Sequence, residues 1–182
     1  LRNTGYLSID ENKLLIMGDS AGGCLAAGVT LYARDRGISR LKGQLLIYPV
    51  TDDRRSDETL RQYKDAAWTA SSNRHMWNLY TANGFYDLRQ YAVPYSNPNL
   101  SGLPPAYIEP QEMDCLRRQA LDYAERLRES GVPTEVKVIP GSYHGFDVDM
   151  KNKVVLRILL DRCRVMQAML DGGFVREHGR DH

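Results

Sequence analysis

Residues 13–23, KLLIMGDSAGG, join an apolar run to a serine flanked by glycines. Leu14, Leu15, Ile16 and Met17 are continuous hydrophobes, the pattern of a strand covered on both faces of a parallel sheet. Gly18-Asp19-Ser20-Ala21-Gly22 then matches G-x-S-x-G, the nucleophile elbow, in which a serine sits on a sharp strand-to-helix turn with its hydroxyl exposed above the sheet. The glycines on either side of Ser20 leave room for that turn. Cys24 to Ala33, CLAAGVTLYA, is small and apolar, so a helix starting at the elbow can lie close to the sheet. Its positive dipole end would face the serine. A Gly-Ser-Gly turn between strand and helix can be no more than a turn, however, and a serine hydroxyl also needs a base.

Working outward, Arg34-Asp35-Arg36-Gly37 ends the helical pattern with charge and then glycine. Gly43 to Tyr48 is a second apolar run, stopped by Pro49, which cannot donate to a sheet ladder. Strand, helix and strand in that order make a βαβ unit, which predicts an α/β fold with a parallel sheet. From Thr51 to about Pro98 no clear strand recurs, and charges mix with Trp68, Trp77, Tyr80, Phe85, Tyr86, Tyr91 and Tyr95. An insertion of this kind reads as an active-site cap, although each ring taken singly is better read as packing the insertion onto the sheet.

Leu103 to Glu109 reads as a loop entering a third strand, with Gln111-Glu112-Met113-Asp114 just past its end. Leu116 to Ser130 is an amphipathic helix, with Leu116, Ala120, Tyr123, Ala124 and Leu127 on one face and Gly131 as its cap. Glu135 to Ile139 alternates as a short strand and is broken by Pro140-Gly141. A final helix over Lys153 to Leu170 is expected to bury Leu156, Leu159, Leu160, Cys163, Met166 and Leu170. The tail from Arg176 to His182 is expected to fray.

Composition sets outer bounds. The 182 residues suffice for one core, and 42% hydrophobic, 26% charged and a net charge of +1 are ordinary for a globular protein. Nothing in that balance asks for nucleic acid or an anionic membrane, and no apolar stretch approaches a membrane span. Without a signal-peptide pattern the chain reads as cytoplasmic. Three scattered cysteines, Cys24, Cys115 and Cys163, have no metal or redox spacing and read as buried or inert thiols. A homo-oligomer is left open.

Ser20, Asp114 and His144 share one placement, each just after the C-terminal end of an expected strand. In an open parallel sheet those ends lie along one edge, where such folds put their sites. Serine, acid and histidine suit nucleophilic catalysis: imidazole takes the serine proton, and a carboxylate on the far ring nitrogen fixes the tautomer and stabilises the imidazolium. Their chain order is that of α/β-hydrolases. Of the other histidines, His75 falls in the insertion and His178 and His182 in the tail. Glu112 and Asp147 compete for the acid role; Asp114 leads because it immediately precedes a helix.

GDSAGG at Gly18 to Gly23, YPVTD at Tyr48 to Asp52, LPPAYIEPQEMDCLR at Leu103 to Arg117, YAERLRESGVP at Tyr123 to Pro133 and HGF at His144 to Phe146 resemble the hormone-sensitive-lipase-like esterases, bacterial family IV. The resemblance implies an α/β-hydrolase fold, a mostly parallel sheet flanked by helices, with Ser20 as nucleophile, Asp114 as acid and His144 as base. It implies hydrolysis of short- to medium-chain carboxylic esters, a small-molecule ester substrate, and no metal or organic cofactor. That family also carries an HGGG motif upstream of the elbow, whose N–H groups form most of the oxyanion hole, and this sequence has none. The backbone N–H of Ala21 is the one donor that can be assigned. Residues 1–182 are therefore expected to be the C-terminal part of one such domain, incomplete at the N-terminus and a poor esterase alone, with the cap-like insertion at about 51–98. The rival reading is a non-catalytic small-molecule binding protein on the same fold, as in the gibberellin receptors, which resemble this family; an amidase or peptidase would share the triad.

Overall fold

The computed structural model describes residues 4–38, 40–54, 67–84 and 86–174. Phe85, His178, His182 and the rest of the expected frayed tail beyond residue 174 lie outside them, as does part of the insertion. The chain opens with a short helix, α1 (Thr4–Leu7), and enters β1 (Leu14–Asp19), the elbow helix α2 (Ala21–Asp35) and β2 (Leu41–Ile47). The insertion holds α3 (Ala70–Tyr80) and α4 (Arg89–Ala92). Then come β3 (Ala106–Glu109), α5 (Arg117–Glu129), β4 (Thr134–Val136) and α6 (Lys153–Leu170).

The four strands pair in the order β1-β2-β3-β4, and every pairing is parallel. This is the sheet that the strand-helix-strand pattern predicts. The register sets Asp19 beside Ile47 and Ile47 beside Glu109, so β1, β2 and β3 end level with one another. β4 is shorter than the alternation over Glu135 to Ile139 suggests; Ile139 makes only an isolated bridge to Gln111.

Alternation within the strands sorts the core into two layers. Leu46, Ala106 and Ile108 face Ala27 and Leu31 of α2 and Ala120, Tyr123 and Leu127 of α5. Leu45, Ile47 and Tyr107 point the other way, onto Val155, Ile158 and Met169 of α6. Helices thus cover both faces of β2 and β3, which is why those strands read as unbroken apolar runs. β1, at the edge of the four strands, is only partly buried despite its continuous run, and Met17 is 46% exposed.

The limits of α6 agree with the sequence expectation, but its buried face does not. Val155, Ile158, Arg162 and Met169 are buried, whereas Leu156 and Leu160 are 43% and 59% exposed and Cys163 is exposed. The reason is Arg162. Its charge is paired inside the protein, so the stripe that packs contains an arginine, and a search for hydrophobes alone selects the neighbouring one.

Candidate active site

Ser20 holds the N-cap position of α2 with φ 55° and ψ −122°, a positive φ that serine adopts only at a cost of about 1–3 kcal/mol. Neighbours pin it there. Its N–H donates to Ile47 O at 2.9 Å, and its carbonyl accepts from Val50 N at 3.1 Å and Cys24 N at 3.3 Å. The glycine requirement differs from the symmetrical one expected. A Cβ on Gly18 would lie 2.0 Å from Gly22 O, and one on Gly23 2.8 Å from Pro49 Cβ, but one on Gly22 would meet only Asp19 Oδ1 at 3.6 Å. Gly18 and Gly23 make the close approaches, and Gly22 has room.

A serine at an N-cap ordinarily turns its oxygen back to a free N–H of the first helical turn. Ser20 makes no such bond. Its Oγ lies 2.8 Å from Nε2 of His144 instead.

Asp114 is 1% exposed, and its two oxygens divide the work. Oδ1 accepts from Leu116 N at 2.9 Å, steadying the turn into α5, and Oδ2 lies 2.7 Å from His144 Nδ1. One side chain thus contacts both the start of α5 and the imidazole. In the tautomer that carries its proton on Nδ1, His144 donates to Asp114 and offers Nε2 as an acceptor to the Ser20 hydroxyl.

His144 stands in the loop after β4. Met113 N donates to Ser142 O at 2.9 Å, tying that loop to the segment after β3, and Gly145 takes φ 73° to enter a 3₁₀ turn over Phe146–Val148. Its ring is flanked by Tyr48, edge-on at 4.8 Å between centroids, and by Trp68, stacked at 5.8 Å and 28°. The other acid candidates are spent elsewhere: Glu112 accepts from Gly141 N, and Asp147 from Tyr48 and Arg162.

A cavity of about 610 Å³ opens beside this cluster, with Ala21, Leu25, Trp68, Met76, Trp77 and Tyr80 among its walls. Sequence reasoning named no pocket residue in the insertion. A usable signal was present: Ser72, His75, Met76, Leu79 and Tyr80 recur at helical spacing along α3, and all of them line the cavity. His75 thus sits on the cavity wall. Cys24 also lines it, and burial pushes its thiol up to about 12. Cys24 and Cys115 are buried as expected; Cys163 is not. Among the described residues no group of three or more His, Cys, Asp or Glu side chains could hold a metal ion.

A family model described as alpha/beta hydrolase fold matches residues 1–148. The carboxylesterase NlhH of Mycobacterium tuberculosis is 32% identical over 151 residues, which cover 79% of this chain and 46% of that protein. An arylesterase of Saccharolobus solfataricus is 33% identical over 152 residues, 79% of this chain and 47% of the relative. The crystal structure of the esterase LipW from Mycobacterium marinum superposes with a TM-score of 0.83 at 32% identity, covering 93% of this chain and 53% of that one. The chain thus spans about half the length of the curated relatives it matches.

Proposed function

The chain belongs to the alpha/beta hydrolase fold family, in its hormone-sensitive-lipase-like group, and from that premise we propose that it carries the catalytic triad of a serine carboxylesterase. Ser20 Oγ attacks the ester carbonyl carbon while its proton passes to His144 Nε2. Asp114 holds Nδ1–H and stabilises the imidazolium. The imidazolium gives its proton to the leaving alcohol, which departs and leaves an acyl-enzyme on Ser20. Water then attacks the acyl carbon as His144 takes its proton, and collapse returns the proton to Ser20 and frees the acid. The N–H of Ala21, first residue of α2, donates to the oxyanion at the positive end of that helix.

One observation carries this reading. The hydroxyl of Ser20 forgoes the helix cap its position offers and bonds to a histidine whose other nitrogen is held by a buried carboxylate. A turn serine with no chemistry to perform has no use for that arrangement. The insertion from about 51 to 98 then serves as a cap, its α3 walling an apolar cavity for the acyl or alcohol group. The size of that cavity suits short- to medium-chain esters. No organic or metal cofactor enters any step.

The test is Ser20→Ala in the intact protein with p-nitrophenyl esters of graded acyl length. Hydrolysis by the parent and a loss of about 10⁴-fold or more in kcat for the variant are expected. Full hydrolysis by Ser20→Ala would contradict the proposal. An intact parent inert on every ester that still binds the esters in the cavity would favour the binding-protein reading instead.

A further inference from the structure

Asp147, three residues past His144, is a carboxylate that the proposed chemistry leaves unused. Both its oxygens are engaged: Oδ1 accepts from the Tyr48 hydroxyl at 2.7 Å and Oδ2 from Arg162 Nη1 at 2.6 Å. Arg162 comes from α6 and is 3% exposed. Its Nη2 donates to Glu109 Oε1 at 2.6 Å, and its Nε lies 3.2 and 3.1 Å from the two Glu109 oxygens. Glu109, the last residue of β3, is fully buried and also accepts from the Tyr107 hydroxyl at 3.0 Å.

One guanidinium thus joins β3, α6 and the turn that follows His144, and Asp147 extends the linkage to Tyr48. Tyr48 sits just past β2 with φ 34°, a left-handed backbone rare for an aromatic residue. Its N–H donates to Glu109 O at 2.8 Å, and its ring meets the His144 imidazole edge-on.

A cluster of two carboxylates and one guanidinium is a costly way to fasten a helix, since apolar packing of equal volume is often the more stabilising choice. What apolar packing would not supply is direction. Each bond in this cluster fixes one group relative to the next, and the sequence of bonds ends on a ring in contact with the imidazole. We infer that the Arg162-Asp147-Tyr48 linkage is a second support for His144, independent of Asp114, with Tyr48 and Asp147 as positioning residues that hold the imidazole plane while Nε2 exchanges its proton with Ser20. The inference rests on the reading of His144 as the base.

The test uses Tyr48→Phe, which keeps the ring and removes the hydroxyl, and Asp147→Asn, which keeps an acceptor for Tyr48 and removes the charge facing Arg162, each in the intact protein. Each variant is expected to lose roughly three- to tenfold in kcat on a p-nitrophenyl ester, the worth of one hydrogen bond. KM should stay within about twofold. Because both changes cut one linkage, the double variant should lose no more than about twofold beyond the worse single one.

Counting competent sites with a phosphonate inhibitor separates positioning from loss of folded protein. Lower melting temperatures with unchanged kcat per titrated site, or losses that multiply in the double variant, would overturn the inference. If Asp147→Asn does not fold, Tyr48→Phe alone decides by the same kcat criterion. The His144 Nδ1–H resonance in the NMR spectrum reads the ring without turnover. It is expected to move in Tyr48→Phe. A protein that cleaves no ester would overturn the esterase reading, and the inference with it, even where the moved resonance shows that the linkage holds the ring; an unmoved resonance with full kcat would overturn this inference alone.

Discussion

Ser20 is held in a strained conformation by contacts that its neighbours can lose one at a time, so the elbow is open to single substitutions. Gly18 and Gly22 look equivalent in G-x-S-x-G, yet only Gly18 is pressed against backbone. Gly18→Ala is expected to destabilise by about 1–3 kcal/mol, because neither a carbonyl nor the turn around it can give way cheaply. Gly22→Ala lies within α2 and meets only ordinary contact, so it should stabilise by about 0.5–1 kcal/mol through helix propensity. Thermal melts of the two variants would check the opposite signs.

A second residue-level expectation concerns the thiols. With burial holding Cys24 at about 12, the thiolate at pH 8 is roughly one part in ten thousand. Iodoacetamide should therefore modify exposed Cys163 well before Cys24, as peptide mass analysis would show. Rapid loss of the Cys24 peptide would contradict it.

At the scale of elements, α6 shows where a sequence pattern stops being readable. Its ends match the span read from the sequence, with Asn152 capping Val154 N and Gly172 at a φ of 74° just past the last turn. Its face was not, because Arg162 packs inward on Glu109 and Asp147 while Leu156 and Leu160 face out. A buried charge is invisible until its partners, 53 and 15 residues away, are known. Arg162→Ala, which strands two carboxylates, is expected to cost about 3–5 kcal/mol. Leu160→Gln should stay within about 0.5 kcal/mol. Chemical denaturation of both would distinguish this face from the hydrophobic one. By contrast, α5 follows its pattern residue for residue: Ala120, Tyr123, Ala124 and Leu127 are all buried, and no charge interrupts the stripe.

At the scale of the molecule, the parallel sheet and the meeting of Ser20, Asp114 and His144 follow from strand ends, which the sequence marks at Gly18 and Pro49, although β4 ends at Val136, short of Pro140. The cavity does not follow, because much of its wall comes from an insertion whose aromatics serve two purposes: Trp77 packs in a buried cluster and also lines the cavity beside Trp68 and Tyr80. Among the described residues no helix is long and apolar enough to cross a membrane.

The interior also sets a response to alkali. Burial raises Cys24 and Cys115 from 9.0 to about 12 and pushes Tyr48, Tyr107 and Tyr123 upward too. Such acids lose their protons in the unfolded chain first, so the unfolded state binds fewer protons and stability falls as pH rises. The contribution of the two thiols is intact below about 9 and is lost progressively toward 12. The melting temperature is expected to drop between pH 8.5 and about 10.5, and to drop less in Cys24→Ala relative to its own value at pH 8. A flat profile for the parent would contradict this.

The central claim is that Ser20 takes the acyl group, and trapping that group tests it without reference to rate. The intact protein is mixed with an activated ester, quenched in acid within the first turnovers, and digested for mass analysis. The account predicts an acyl group on the peptide containing Ser20, and none when His144 is replaced by alanine. An acyl group on another residue, or hydrolysis that proceeds with Ser20 never modified, would contradict it.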